Sequence, residues 1–205
     1  PAWLFARPPT GAPDHTPPHP LILYRVIQLA PPIATLERGA AVARIGGEQG
    51  LPLARPATPR AQDRGFGYLA ASIVDSLRRH EPFTVWEADE INMLATPSLA
   101  LECGELILDI GERRERGVFH LCGADSVTRR ELAELTCDVF DLDPSLLRFG
   151  PPDPDAFATA PIPHDTTLSA PRTREVLGHE PTPLRALLER FRHQMTAQQK
   201  AGSRV

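Results

Sequence analysis

Apolar residues recur at helix-like and strand-like spacings from about residue 40 to residue 193. Spacings of three and four residues indicate amphipathic helices, and short apolar runs bounded by turn residues indicate buried strands. The pattern predicts strands over 40–45, 83–86, 118–121 and 146–149, and helices over 66–79, 96–110, 128–140, 171–177 and from Pro183 onward. Because strands and helices alternate along the chain, the predicted fold class is α/β.

Each long predicted helix has one apolar face that a core would bury. These faces contain Phe66, Leu69, Ile73 and Leu77; Leu99, Cys103, Leu106 and Ile110; Leu132, Leu135, Val139 and Phe140; and Leu184, Leu187, Leu188 and Phe191. Thr128 and Glu131 have the spacing of a capping box. Gly178 is placed to end one helix as its C′ residue, and Thr182 with Pro183 to begin the last one.

Proline divides the 205 residues unevenly. Of the 23 prolines, twelve lie within 1–60 and eight within 151–185. Proline fixes φ and removes a backbone donor, so regular structure should concentrate between these regions. We therefore expect residues 1–60 to be a poorly ordered segment, apart from the strand near 40–45 and a short helix within 20–30. Residues 61–194 should form the α/β region, and 195–205 a polar, frayed tail.

The composition argues against several classes of function. A net charge of −4 gives no general electrostatic footprint for nucleic acid or anionic membrane, so neither is an expected partner. No run of 18 apolar residues or signal-peptide layout is found. The three cysteines have no C-x-x-C spacing and lie in apolar contexts, which predicts small buried side chains, no metal site and a cytoplasmic location.

Polar clusters elsewhere are typical of structural roles. The run 113–116 is expected to be a solvated helix end, and Asp89 with Glu90 a turn. His120 lies within a predicted strand, where we expect a structural hydrogen bond. The glycine cluster at 46, 47 and 50 follows a strand but leads into prolines, which favours a tight turn in a loop over a phosphate-binding loop at a helix N-terminus.

A series of segments occurs in the order and spacing of motifs from one known family. They are PPHPLILYRVIQLA at 17–30, RIGGEQG at 44–50, Gly65-Phe66, EPFTVW at 81–86, DEINMLATPSLA at 89–100, GVFHLCG at 117–123, SVTRRE at 126–131 and HDTTLS at 164–169. Together they resemble the second half of extended short-chain dehydrogenase/reductase proteins, in the dTDP-4-dehydrorhamnose reductase-like, sugar-nucleotide-binding branch. No single motif is specific, so the case depends on their order.

The resemblance implies a fold and a site. The chain would contain the last strands of a Rossmann-like sheet and a small C-terminal α/β substrate-binding lobe. An intact relative would use NAD(P)H to reduce a 4-keto nucleotide sugar, which lies in the cleft between sheet and lobe. The positions that would contact this nucleotide-sugar partner are Gly65, Phe66, Asn92, Met93, Leu94, His164, Asp165 and Thr166.

Two departures from the family pattern concern the chemistry. Tyr24 matches the catalytic tyrosine, but Gln28 stands where the family has a lysine. A tyrosine with an ordinary pKa near ~10 needs a neighbouring ammonium to favour its phenolate, and glutamine carries no charge. The G-x-x-G-x-x-G dinucleotide loop of the family is not found in these 205 residues. We therefore expect no cofactor binding and no activity from this chain alone.

A third departure lies in the substrate loop, where His164 replaces the family's arginine and loses a permanent charge. Two further interpretations stay open. The chain could be a non-catalytic sugar-nucleotide-binding or regulatory protein on the same scaffold, or residues 1–60 could come from a degraded reading frame. A glycine-rich dinucleotide loop encoded upstream of Pro1 would favour a shortened enzyme.

Overall fold

The computed structural model describes residues 35–51, 68–152 and 163–202. The strands are β1 Ala41–Ile45, β2 Gly47–Gln49, β3 Phe83–Trp86, β4 Leu94–Ala95, β5 Pro97–Leu99, β6 Gly117–Leu121, β7 Val127–Thr128, β8 Leu147–Gly150 and β9 Asp165–Thr166. The α-helices are α1 Leu69–Arg78, α2 Ala100–Glu112, α3 Arg129–Phe140, α4 Pro171–Leu177 and α5 Leu184–Gly202, with a 3-10 turn at Pro144–Leu146. The helix expected within 20–30 lies outside the described residues.

The strands form small sheets dominated by parallel pairs. β1 pairs with β6, β2 with β5 and β3 with β8, all in parallel. The fourth sheet has the order β7-β4-β9, with β4 antiparallel to β7 and parallel to β9. Parallel neighbours need long crossover connections, which the helices provide. This arrangement confirms the predicted α/β class.

Two hydrophobic cores hold the elements together. The larger core packs α1, α3 and α5 around β3, and the smaller one packs α2 and α4 against β1 and β6. The predicted faces of α1, α2, α3 and α5 are buried or partly buried in these cores for every described residue. The predicted strand over 83–86 matches β3. These faces were predictable because only helical spacing places their apolar residues together.

Two predictions near the β2–β5 pair were wrong. The glycine segment 46–50 contains the strand β2 instead of forming a loop throughout, and α2 begins at Ala100 instead of residue 96, because 97–99 pairs with β2. A Cβ built on Gly46 would lie 2.3 Å from the Thr96 carbonyl oxygen, and one on Gly50 would lie 2.6 Å from the Ala100 Cβ. These glycines permit close contact between two backbone segments.

Two of the predicted helix caps are present in the structure, and a third is not. The Thr128–Glu131 capping box is present, and Gly178 ends α4 with φ 68°. Thr182 does not cap α5, because its hydroxyl donates to the Glu102 carboxylate at 2.8 Å. The Leu184 N–H instead donates to the Asp125 carboxylate at 2.7 Å. A cap from a distant residue is not visible in local sequence.

The last helix is longer than the apolar pattern of the sequence predicts. α5 continues to Gly202, past Gln194 where the apolar pattern stops, and Met195 packs against the larger core.

Cys103, Cys122 and Cys137 are buried free thiols, as predicted. Burial raises the pKa of the Cys103 and Cys137 thiols to about 11. In the described part of the chain, each helix is too short or too polar to cross a membrane.

Candidate functional site

Two segments about seventy residues apart meet at the fourth sheet. β4 and β9 pair in parallel, with Leu94 opposite Asp165 and Ala95 opposite Thr166. At the start of this pair, the backbone N–H groups of Met93 and Leu94 both donate to the His164 carbonyl, at 2.8 and 3.0 Å. The structure thus brings together the six described residues that the resemblance assigns to substrate contact. We call the segments 92–96 and 163–169 the docked pair.

Asn92 holds the start of the docked pair. Its side chain is buried, and its Nδ2 donates to the Thr166 hydroxyl at 2.9 Å, with the Pro163 and His164 carbonyl oxygens at 3.2 Å. Its own backbone carbonyl accepts a 2.7 Å hydrogen bond from Nε of Arg129, which is fully buried. A buried amide surrounded by acceptors is stabilising only while these partners are present, so Asn92 fixes the position of 163–166.

Thr96 performs the same role further along the docked pair. Its hydroxyl accepts from the Leu168 N–H at 3.0 Å and lies 3.1 Å from the Leu168 carbonyl. The Ser126 hydroxyl lies 3.0 Å away on the other side. The Thr96 side chain therefore serves as a hydrogen-bond partner for the Leu168 backbone, two residues beyond the end of β9. Unmet backbone groups at such a buried position would be costly.

His120 anchors the end of the segment, which confirms the structural hydrogen bond expected from the sequence. The ring is fully buried, its Nδ1 lies 3.0 Å from the Ser169 carbonyl, and its Nε2 lies 3.4 Å from Nη1 of Arg44. A guanidinium can only donate, so Nε2 accepts and Nδ1 carries the hydrogen. The Thr173 hydroxyl donates to the His120 carbonyl at 2.7 Å, which links the anchor to α4.

The six converging residues divide into buried and accessible members. Asn92 and Thr166 are buried and use their side chains within the protein. Met93, Leu94 and Asp165 are partly exposed, and His164 is exposed. One Asp165 oxygen accepts from the N–H and the hydroxyl of Thr167, both at 2.8 Å. The accessible surface therefore combines two apolar side chains, an imidazole and a carboxylate.

The remaining predicted site residues belong to segments that the structure does not describe. Tyr24, Gln28, Gly65 and Phe66 lie outside the described residues. Their assignment as a catalytic tyrosine, a substituted lysine and a ligand-facing wall therefore stays a prediction from the sequence. Sequence reasoning gave no anchoring role to Thr96 or Arg129. Nothing in the sequence indicated that Arg129 is buried and bonded to Asn92, because arginine is mostly exposed in proteins and is rarely fully buried without partners.

The described glycine cluster does not fit a dinucleotide. Phosphate-binding loops need exposed backbone N–H groups at a helix N-terminus. Here β2 follows Gly46, and the Cβ positions of Gly46 and Gly50 are occupied by Thr96 and Ala100. No group of three or more metal-binding side chains occurs within 35–51, 68–152 or 163–198.

A groove elsewhere on the surface is separate from the docked pair. It has a volume of about 350 Å³ and lies between α3 and α5. Its walls are mainly charged, and the ion pairs Arg185–Asp138 and Arg192–Asp141 cross between the helices there. Small-molecule sites are usually concave with mostly apolar walls and a few polar groups. This groove fits that description poorly, and none of its lining residues belongs to the docked pair.

Solved structures of sugar-nucleotide enzymes share this fold. A dTDP-4-dehydrorhamnose reductase from Bacillus anthracis, in complex with NADP, matches with a TM-score of 0.70 and 16% identity, covering 93% of this chain and 62% of that chain. A UDP-N-acetylglucosamine 4-epimerase from Methanobrevibacter ruminantium, in complex with UDP-N-acetylmuramic acid, matches with a TM-score of 0.72 and 13% identity, covering 96% and 61%.

A hypothetical dTDP-4-dehydrorhamnose reductase from Sulfolobus tokodaii matches with a TM-score of 0.67 and 18% identity, covering 89% of this chain and 58% of that chain. No family model and no curated protein matches the sequence. The resemblance to extended short-chain dehydrogenase/reductase enzymes is therefore confirmed for the fold. The chain spans about three fifths of the length of these structures.

Proposed function

We propose that this chain is the substrate-binding portion of an NAD(P)-dependent nucleotide-sugar reductase of the dTDP-4-dehydrorhamnose type. It binds the nucleotide sugar and does not reduce it by itself. The observation that carries the proposal is the docked pair, in which segments 72 residues apart are joined through Asn92 and Leu94 to His164. Both segments were assigned to the substrate cleft from the sequence, and the neighbours of this fold include sugar-nucleotide enzymes.

The exposed groups of the docked pair have the chemistry that such a ligand requires. Met93 and Leu94 offer partly exposed apolar surface for a base or sugar ring, and the imidazole of His164 can donate to a phosphate oxygen. Below them, the buried contacts of Asn92 and Thr96 fix the loop before any ligand arrives. A preorganised loop avoids the entropy cost of ordering on binding.

The direct test is calorimetric titration of the 205-residue chain with dTDP-glucose. We expect saturable binding with a Kd between roughly 1 μM and 1 mM, the range in which enzymes commonly hold substrates. Glucose 1-phosphate, which lacks the nucleotide, is the control and should bind much more weakly. Absence of dTDP-glucose binding up to millimolar concentration would refute the proposed function.

The cofactor half of the proposal is tested with NADPH. We expect no saturable fluorescence change, because the described glycine cluster is covered by Thr96 and Ala100. Micromolar binding would show that another part of the chain forms a dinucleotide site. The second interpretation, a non-catalytic binding or regulatory protein, is favoured by Gln28 and is tested by the coding sequence upstream of Pro1. A longer coding sequence with a dinucleotide loop and NADPH binding would argue against that interpretation.

His164 offers a test at one residue. His164→Arg adds a permanent cation with a planar, forked donor set, so we expect dTDP-glucose to bind about tenfold more tightly. The matched control is His193→Arg on α5, an exposed histidine that lines the separate charged groove. It adds the same charge elsewhere and should leave the Kd within about twofold. Equal effects of both variants would indicate general charge attraction, and no effect of His164→Arg would exclude His164 from ligand contact.

A further inference from the structure

The helix α2 presents an unusual apolar face to solvent. Its inner side buries Cys103, Leu106 and Ile110 in the smaller core. On its outer side Leu101 is 51% exposed, Ile107 44% and Leu108 67%, and these are the exposed large hydrophobic residues of the described chain. Single exposed apolar residues are ordinary, but three on one helix face form a patch of the kind found at interaction sites.

The patch has the shape of a groove between two ridges. At 100° per residue, Leu101 and Leu108 form one ridge, and Ile107 lies on the other. Gly104 and Gly111 lie between the ridges, and a Cβ added at either glycine would meet no atom within 4 Å. Glycine inside a helix costs stability relative to alanine. Here the two glycines leave room for another backbone to approach closely.

We propose that this groove binds α2 of a second copy of the chain, in an antiparallel pair whose two-fold axis crosses the exposed face at the height of Leu106 along the helix. The spacing of the residues fits this register from both sides. Leu101 and Gly111 lie five positions before and after Leu106, and Gly104 and Leu108 lie two positions before and after it. Each leucine is therefore level with a glycine of the second copy. A self-complementary patch is the requirement for a two-fold interface.

Charge at the helix ends complements the antiparallel arrangement. Glu112, an exposed residue of the last turn, lies beside the N-terminus of the second copy's α2, where the helix carries partial positive charge. That N-terminus has no side-chain cap of its own. Glu105 lies at the margin of the patch, and Nη2 of Arg190 is 3.6 Å from its carboxylate. This ion pair reduces the repulsion between the Glu105 carboxylates of the two copies.

The size of the patch sets the strength of the association. One pair of thirteen-residue helices buries less than the ~1,200 Å² that stable complexes usually bury, so the dimer should be weak and concentration-dependent. Sedimentation velocity on the intact chain should show the mass rising from 22.5 kDa toward twice that value with increasing concentration. A constant monomer at all concentrations would overturn the proposal and leave the patch to a different partner.

A substitution at Gly104 separates association from folding. Gly104→Gln places a long side chain in the groove, and we expect at least a tenfold weaker dimer. Glutamine favours helix over glycine, so the Tm at low concentration should stay the same or rise. The control Glu175→Gln, on the exposed side of α4, should leave association unchanged. A dimer that persists in Gly104→Gln would contradict the interface.

Cross-linking tests the register. Ile107 lies one residue from the proposed two-fold axis, so Ile107→Cys should form a covalent dimer under mild oxidation. The three natural cysteines are buried and should not compete. Glu175→Cys serves as the exposed control and should remain monomeric under the same conditions. Equal cross-linking of both variants, or none with Ile107→Cys, would exclude this antiparallel pairing.

Discussion

Gly46 shows how the fold depends on a residue that has no side chain. Its backbone passes so close to β5 that an added Cβ would lie 2.3 Å from the Thr96 carbonyl oxygen and 3.3 Å from the Cys122 Cβ. The obstacle is backbone, which cannot rotate away. We expect Gly46→Ala to lower the free energy of unfolding by about 1–3 kcal/mol, as measured by urea denaturation. Gly150→Ala is the control, because its Cβ would meet no atom within 4 Å.

The control should be neutral or slightly stabilising, since alanine restricts the unfolded chain. If both variants lose the same stability, close approach at Gly46 is not the cause. Such an outcome would also weaken the interpretation of the glycine cluster as a packing element of the β2–β5 pair.

Asn92 gives a second prediction for a single residue. Asn92→Asp keeps the shape but places a carboxylate against the Pro163 and His164 carbonyl oxygens. We expect a loss of about 3 kcal/mol in the free energy of unfolding at neutral pH. Burial and the carbonyls would raise the pKa of the new carboxyl in the folded state. Its protonated form is then tolerated, so the loss should be smallest below pH ~4 and grow as pH rises.

The pH dependence of the stability loss distinguishes the effect of the buried charge from the effect of the lost hydrogen bonds. Asn92→Leu removes the same hydrogen bonds without adding a charge, so its loss of stability should not depend on the ionisation of residue 92. The two variants are compared by denaturation from pH 3 to pH 8. Parallel pH profiles would show that the environment of Asn92 tolerates a carboxylate and that the docked pair is looser than its hydrogen bonds indicate.

At the scale of elements, α3 depends on its capping box. The pKa of Glu131 is lowered because its carboxylate accepts from the Thr128 backbone N–H and then from the Thr128 hydroxyl. We expect Thr128→Ala to lower the free energy of unfolding by about 1 kcal/mol at neutral pH, and Thr128→Ser to retain most of it. Measurement is by thermal or urea denaturation at several pH values.

The sign of the pH effect follows from the lowered pKa. A depressed carboxyl pKa stabilises the fold above the unfolded value, near 4.5, and this stabilisation is lost as pH falls through the folded value. The difference between wild type and Thr128→Ala should therefore narrow in acid. A difference that stays constant from pH 7 to pH 3 would show that the Thr128 hydroxyl does not contribute to the lowered pKa of Glu131, since Thr128→Ala retains the backbone N–H donor.

At the scale of the molecule, the cysteines report whether the two cores open together. Cys137 lies in the larger core and Cys103 in the smaller one, and burial raises the pKa of each thiol to about 11. At pH 8 we expect maleimide to label both more slowly than in the unfolded chain, by about 10³-fold or more, and at equal rates. Peptide mapping by mass spectrometry measures each site. Faster labelling of Cys103 would show that α2 and β1–β6 open independently.

Most helices and the main strands were predictable because their causes are local. The Thr128–Glu131 cap, the Gly178 end and the strand over 83–86 depend on residues within a few positions of each other. The predictions failed at β2, at the start of α2 and at the cap of α5. Each of these depends on a partner distant in sequence: β5 for β2, β2 for residues 97–99, and Asp125 for α5.

The candidate site was also predictable only in part. The order of the motifs placed Asn92, Met93, Leu94 and the 164–166 segment at one site, and the structure brings these segments together. Sequence reasoning did not distinguish the buried supports, Asn92 and Thr166, from the accessible residues His164 and Asp165. Nor did it assign the anchoring to Thr96, because a threonine hydroxyl gains that role only when the Leu168 backbone lies beside it.

The sequence by itself determined the α/β class, the inner faces of the helices, the local caps and the resemblance to sugar-nucleotide enzymes. These features follow from hydrophobic period, backbone preference and motif order, which act over short stretches of chain. The tertiary structure alone decided which strands pair, which glycines permit close approach, which polar side chains are buried supports and which face of α2 stays exposed. Those depend on contacts across tens of residues, where burial decides whether a polar group is free to bind a ligand.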